Sequence, residues 1–221
     1  MRDAYHEELE RINDQLVEMT RLVGSAISRA STALLDADLT LAESVIVADN
    51  VVDQLRDDLD RQAMDLLARQ QPVASDLRVI VTALKMSADL ERMGDLARHV
   101  ARAARRRFPD SAIPAPLRAT IVEMGQVAER LVAKTGKVLT THDVEAALEI
   151  EHDDDAMDRL HRELFAALLD VAAPFSIEAA IDVTLVSRYY ERFADHAVAV
   201  SRRVVYLVTG QQPRELAETT G

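Results

Sequence analysis

Apolar residues recur at steps of three and four along nearly the whole chain, with polar residues between them. One series is Leu9, Ile12, Leu16, Met19, Val23, Ala26, Ala30 and Leu34, and the next is Leu41, Val45, Ala48, Val52, Leu55, Leu59 and Leu66. This spacing is the period of an α-helix that buries one face, and no segment shows the alternation of a half-buried strand. The pattern therefore predicts an all-α protein.

Capping residues and prolines indicate where the helices begin and end. Thr40, with Glu43 three residues later, predicts a capping box at the start of the second helix, and Pro72 lies where a third helix can begin. The segment 108–116 (FPDSAIPAP) has three prolines in nine residues and predicts a linker. Each side of this linker therefore has room for three long helices.

The two sides of the linker are copies of each other. SADLERMGDLARHVAR at 87–102 is echoed by SRYYERFADHAVAVSR at 187–202, and DNVVDQLRDDL at 49–59 is echoed by DDAMDRLHREL at 154–164. A self-match at a long spacing indicates a duplicated structural unit. We therefore expect two similar antiparallel three-helix bundles in an elongated molecule, at 1–107 and 117–209, joined by the linker at 108–116 and followed by a flexible tail at 210–221.

Composition narrows the class of protein. The chain has 221 residues, of which 48% are hydrophobic, so each half is large enough to form a core. It has no cysteine, which excludes disulfides and thiolate chemistry. It shows neither a leader-like start nor an apolar run of membrane length, so the expected location is the cytoplasm. A net charge of -12 disfavours nucleic acid as a partner, because phosphates would be repelled.

Both copies keep a pair of carboxylates one helical turn apart. In the first copy, the pair is Glu91 and Asp95. It continues the apolar stripe formed by Leu77, Val81, Leu84 and Ala88, so the two acids occupy core-type positions. The preceding helix of each copy carries another pair, and four carboxylates can converge in each half. The candidate metal ligands are Asp49, Asp53, Glu91, Asp95, Asp154, Asp158, Glu191 and Asp195. Oxygen donors without cysteine suit iron(III), Mn, Mg or Ca, although nothing in the sequence requires a cofactor.

Simpler interpretations of these acids remain open. Acidic pairs at i and i+4 recur elsewhere in a chain with 38 carboxylates, so the repeated pairs can be solvated surface. Arg92 and Arg192 can also neutralise them as salt bridges without a metal. The stripe of Arg78, Lys85 and Arg92 is not kept in the second half and predicts a solvated face. No phosphate loop, nucleophile elbow or histidine triad is readable, so no enzymatic activity is expected.

The segment 67–97 (LARQQPVASDLRVIVTALKMSADLERMGDLA), with DNVVDQL upstream and YYERFADHA in the second half, resembles the PhoU family, the phosphate-specific transport system accessory proteins. The resemblance covers essentially the whole chain in order. It implies a bacterial cytoplasmic homodimer that is a negative regulator of phosphate uptake and of the phosphate-starvation response. It also implies an adaptor between the ATPase subunit of the phosphate ABC transporter and the sensor histidine kinase, which reaches the membrane only through these partners.

The resemblance bears on the acidic residues as well. The family motif Glu/Asp-x-x-x-Asp falls on the eight carboxylates named above, and some family members bind iron clusters or other metals there. The second half departs from the family pattern, because Phe193 and Ala194 replace an aliphatic residue and a glycine. A looser or empty site is therefore expected there, and the first half is the better candidate for a metal. A rival function is metal binding or storage by the carboxylate clusters. A third is a plain helical oligomerisation module.

Overall fold

The computed structural model describes residues 2–70, 72–170 and 175–211. Within these ranges the chain forms six α-helices and one 3-10 turn, without a strand. The helices are α1 (Arg2–Asp36), α2 (Leu39–Gln70), α3 (Ser75–Arg107), α4 (Arg118–Thr141), α5 (Val144–Leu169) and α6 (Ile177–Thr209), and the 3-10 turn is Ala115–Leu117. The prediction of an all-α chain with three long helices on each side of a linker is confirmed. From residue 212 onward, the predicted tail lies outside the described residues.

Each half is an antiparallel three-helix bundle. α1, α2 and α3 pack against one another in the first half, and α4, α5 and α6 do so in the second. The chain reverses direction within two residues between α1 and α2, and again between α4 and α5. The longest helices have 33 to 35 residues, which corresponds to about 50 Å. The molecule is therefore elongated along the bundle axis.

The two bundles lie side by side, with α1 against α4 and α3 against α6. Small residues allow α1 and α4 to approach closely: a Cβ atom added to Gly136 would lie 3.1 Å from the Thr20 hydroxyl, and one added to Gly125 would lie 3.1 Å from the Ser31 hydroxyl. In the repeat, Thr20 corresponds to Gly125 and Ser31 corresponds to Gly136. Exchanging the two halves therefore turns each of these contacts into the other, as an approximate two-fold axis between the bundles requires. Apolar side chains from all six helices form one continuous core.

The predicted capping box of the second helix is wrong. α2 begins at Leu39, and the carboxylate of Asp38 accepts a hydrogen bond from the backbone N–H of Leu41 at 2.9 Å. Asp38 therefore caps the helix before Thr40 is reached. Aspartate satisfies a free N–H of the first turn as well as threonine does, and the shape of the two-residue turn after α1 decides which residue takes that position.

The predicted core stripe of the third helix is also wrong. Leu77 and Val81 are 41% and 38% exposed, whereas Ile80, Ala83 and Leu90 are buried. α3 packs against α1, α2 and α6, so the face that it buries is wider than one stripe and centred elsewhere. The acids that continue the Leu77 stripe consequently lie at the edge of the core, half-buried.

Candidate functional site

The first acidic cluster lies where α2 packs against α3. Asp49 and Asp53 of α2 and Glu91 and Asp95 of α3 are close enough for their charges to act on one another, so the structure brings together all four predicted residues of the first half. Part of the cluster lines a shallow concave surface of about 290 Å³. Asp49 is the most deeply placed member and is only 5% exposed.

Arg98 compensates this cluster, and the sequence interpretation missed it. Its guanidinium donates one hydrogen bond to Asp49 on α2 and another to Asp95 on its own helix. On the outer side, Arg56 forms an ion pair with Glu91 at 3.3 Å. The spacing in the sequence could have predicted this role, because Arg98 lies three residues after Asp95 and seven after Glu91, on the same face of α3.

Burial dominates the titration of Asp49. Removal from water raises the pKa of its carboxyl group from 3.8 to about 6, against the lowering by Arg98 and with the help of the neighbouring carboxylates. Gly94 explains how Asp49 can lie so deep. A Cβ atom at Gly94 would approach Asp49 Oδ1 to 2.9 Å, closer than ordinary contacts allow. The glycine of the repeat motif therefore makes room for a buried carboxylate.

The second acidic cluster lies between α5 and α6 and is more open. Asp154 and Asp158 of α5 and Glu191 and Asp195 of α6 act on one another electrostatically, so these four predicted residues are also brought together. Asp158 and Asp195 are exposed, whereas their counterparts in the first half are partly buried. This difference agrees with the expectation of a looser site in the second half.

The second cluster lacks the internal cation of the first. Val198 occupies the repeat position of Arg98, and Ala194 that of Gly94. Burial, followed by the charges of the surrounding carboxylates, raises the pKa of Asp154 from 3.8 to about 7. Burial also raises the pKa of Glu191, and its Oε2 atom is buried without a hydrogen-bond partner. The duplicated motif therefore supports two electrostatically different clusters.

The two arginines of the repeated Glu-Arg pair behave differently. Arg92 donates to Asp95 at 2.8 Å, as the salt-bridge interpretation expected. Arg192 is exposed and forms no ion pair among the residues that the structure describes. In its place Arg188, one turn earlier on α6, pairs with Glu191. The expectation of a salt bridge for Arg192 is therefore corrected: its side chain is exposed, and its charge only opposes the rise that burial causes in the pKa of Glu191.

Metal binding requires that several of these side chains point their donor atoms at one position. Across residues 2–70, 72–170 and 175–211, no three or more histidine, aspartate or glutamate side chains are arranged to hold a metal ion. In the first cluster, the Arg98 guanidinium bridges Asp49 and Asp95, so a metal ion bound there would have to displace it. The second cluster offers oxygen donors of the kind that hard cations prefer. Metal binding stays a prediction for both halves.

Known proteins share both the repeat and the fold. The sequence profile of the PhoU domain matches residues 16–104 and 121–204, one copy on each bundle. The chain belongs to the PhoU family. Among its relatives is the phosphate-specific transport system accessory protein PhoU homolog 2 of Mycobacterium tuberculosis, which is 50% identical over 213 residues that cover 96% of this chain and 100% of the relative.

Solved PhoU structures have the same architecture. The crystal structure of PhoU from Pseudomonas aeruginosa superposes with a TM-score of 0.85 at 32% identity, covering 94% of this chain and 100% of that one. The phosphate transport system regulatory protein PhoU from Streptococcus pneumoniae gives the same TM-score at 25% identity, covering 94% and 98%. Among the described helices of this PhoU-family protein, none has an apolar stretch sufficient to span a bilayer.

Proposed function

We propose that this protein is a negative regulator of phosphate uptake and of the phosphate-starvation response. It acts by binding and without catalysis, as a cytoplasmic homodimeric adaptor between the ATPase subunit of the phosphate ABC transporter and the sensor histidine kinase. The observation that carries the proposal is similarity over the whole chain, in both repeats, to proteins named for their accessory role in phosphate-specific transport.

The structure supports a binding function through the long helical surfaces of its two bundles. The internal ion pairs of Arg98 tie α2 to α3, so the acidic surface beside them is held in place when a partner docks. A signal requires that the adaptor binds two states of the transporter with different affinities, because a ligand with equal affinity for both states shifts nothing. The acidic clusters are the surfaces that we propose for this contact.

Direct binding to the two partners tests the proposal. Biolayer interferometry would measure the affinity of the purified protein for the cytoplasmic part of the kinase and for the transporter ATPase. We expect saturable binding to at least one of them. Combining Glu91→Gln with Asp95→Asn should weaken this binding without unfolding the protein, as checked by circular dichroism. Failure of the wild type to bind either partner would refute the adaptor function.

A matched control separates a specific contact from general electrostatics. Glu43 and Glu145 are exposed acids on α2 and α5, outside both clusters. Changing both to glutamine removes two negative charges, the same number as the test variant, but from exposed positions outside the clusters. Partner binding should be unchanged in this control, and an equal loss would show that net charge alone decides the affinity.

Metal binding is the second candidate function, and the second cluster is the observation that favours it. Asp154 has no salt bridge among the described residues, and Glu191 has an unpaired buried oxygen. Elemental analysis of protein purified without chelators would test this function. Stoichiometric metal that disappears in Asp154→Asn, together with unchanged partner binding, would favour it over the adaptor function.

A further inference from the structure

A concave surface of about 570 Å³ lies between the N-terminal half of α3 and the C-terminal half of α6. We call it the α3–α6 groove. Its cations come from both helices, Arg78 and Lys85 from α3 and Arg202 and Arg203 from α6. In a protein with a net charge of -12, a concentration of cations in one groove needs an explanation.

Two of these four cations are already compensated. Arg203 donates to Asp89 at 2.7 Å, and Arg202 forms an ion pair with Glu151. Arg78 and Lys85 have no carboxylate within salt-bridge distance among the described residues. The Nε atom of Arg78 is buried without an acceptor, and its guanidinium lies over the Tyr206 ring at 5.9 Å. The groove therefore has two cations without a carboxylate partner in the part of the chain that the structure describes.

The duplication provides an internal comparison. At the opposite end of the α3–α6 contact, the repeat places Glu178 at the position of Arg78 and Asp182 at that of Thr82. There Asp182 pairs with Arg106 at 3.3 Å, and Glu178 pairs with Arg107 at 2.6 Å. One end of the contact thus neutralises its own arginines, whereas the α3–α6 groove has an arginine and a threonine where those acids would be.

The groove also has exposed apolar surface beside the side chains of Arg78 and Lys85. Leu77 and Val81 are 41% and 38% exposed and follow the same side of α3 as Lys85. Arg78 and Lys85 are seven residues apart, about 10 Å along the helix. A small, fully polar anion would leave the two aliphatic side chains in water. An amphipathic helix with acidic residues one or two turns apart can cover them and reach both cations.

We propose that the α3–α6 groove docks an acidic amphipathic helical segment of a partner protein. Leucine-like side chains of that segment would pack on Leu77 and Val81, and its carboxylates would pair with Arg78 and Lys85. Charge complementarity is the reason for choosing this partner over a neutral or basic one. The proposal rests on the proposed function only in that an adaptor needs a docking surface.

The probe is a fluorescein-labelled, helix-forming peptide of 16 residues with leucines at i and i+4 flanked by glutamates, measured by fluorescence anisotropy against the full chain. We expect saturable binding that weakens with added salt. Lys85→Glu should raise the Kd about tenfold, which corresponds to about 1.4 kcal/mol. Arg78→Gln should weaken binding as well. Lys85 is exposed, so its substitution leaves the fold intact, as circular dichroism would verify.

Arg102→Glu is the matched control, since it makes the same charge change on the exposed part of α3 at the opposite end of the contact. It should leave the Kd unchanged, and an equal loss would overturn the proposal in favour of general attraction. Absence of saturable binding would also overturn it. Equally tight binding by the peptide with serines for leucines, or by pyrophosphate, would indicate a small-anion site instead.

A second copy of the chain is the remaining alternative occupant of the α3–α6 groove. Multi-angle light scattering would reveal it as a loss of dimer in Lys85→Glu, and that result would overturn the partner proposal. Binding to the kinase and to the transporter ATPase is measured separately with the acidic-cluster variants. The docking proposal and the proposed function can therefore fail independently.

Discussion

Replacement of Asp154 by asparagine should stabilise the protein at alkaline pH. The substitution keeps the shape of the side chain and removes one charge from a cluster that has valine at the repeat position of Arg98. A rise in pKa from 3.8 to about 7 corresponds to about 4 kcal/mol if all of it acts on folding. Because Asp154 is only partly buried and water screens its charge, we expect a gain of about 1–2 kcal/mol at pH 8.

The effect should depend on pH in a defined direction. The pKa of Asp154 is higher in the folded state than in the unfolded state, so the folded protein holds an additional proton between about pH 4 and pH 7. The wild type therefore loses stability as the pH rises through this window, whereas asparagine does not titrate. The advantage of Asp154→Asn should be near zero at pH 4 and fully developed at pH 8.

Urea unfolding followed by circular dichroism at pH 4, 6 and 8, in buffers with EDTA, measures this difference. Glu163→Gln is the control, since Glu163 is an exposed carboxylate on the same helix away from the cluster and its substitution should change the stability little. A variant that is less stable than the wild type at pH 8, or a difference that is the same at every pH, would refute the electrostatic reasoning. Added metal that stabilises only the wild type would instead support the metal function.

Three further substitutions test the packing by urea unfolding at pH 7.5. Gly94→Ala should cost about 1–2 kcal/mol, because the clash with Asp49 Oδ1 outweighs the gain in helix propensity of about 1 kcal/mol; unchanged stability would show that Asp49 can move freely. Tyr190→Phe removes a buried hydrogen bond of 2.7 Å to Ser31 and should cost about 1 kcal/mol. Asp38→Ala removes the cap of α2 and should also cost about 1 kcal/mol, unless the free N–H is fully hydrated.

Several features could be predicted from the sequence because they depend on neighbours along the helix. The apolar period predicts the six long helices, and the self-match predicts their arrangement as two bundles. The spacing of Glu91 and Asp95 places them on one face of α3 in any fold that keeps the helix. The pairing with Asp49 and Asp53 followed from the antiparallel packing that a short turn imposes.

Other features depend on how one helix lies against another. The sequence offered Arg92 as the obvious partner of the acids, and it does pair with Asp95. Packing adds Arg98, which reaches across to Asp49 on the neighbouring helix. The side-by-side contact of the bundles could not be predicted either. The unequal charges of the two repeats were visible in the sequence, but only this contact shows that they lie at opposite ends of α3 and α6.

The sequence by itself determined the helices, the duplication and the placement of two carboxylates on one face of each repeat, because the backbone period fixes which side chains are neighbours within a helix. Only the tertiary structure decided that Gly94 admits a buried Asp49 beside Arg98, whereas Ala194 and Val198 leave Asp154 without an internal cation. These differences depend on ångström-scale distances between helices. Such distances are set by the packing of the whole core and are not encoded in any local spacing.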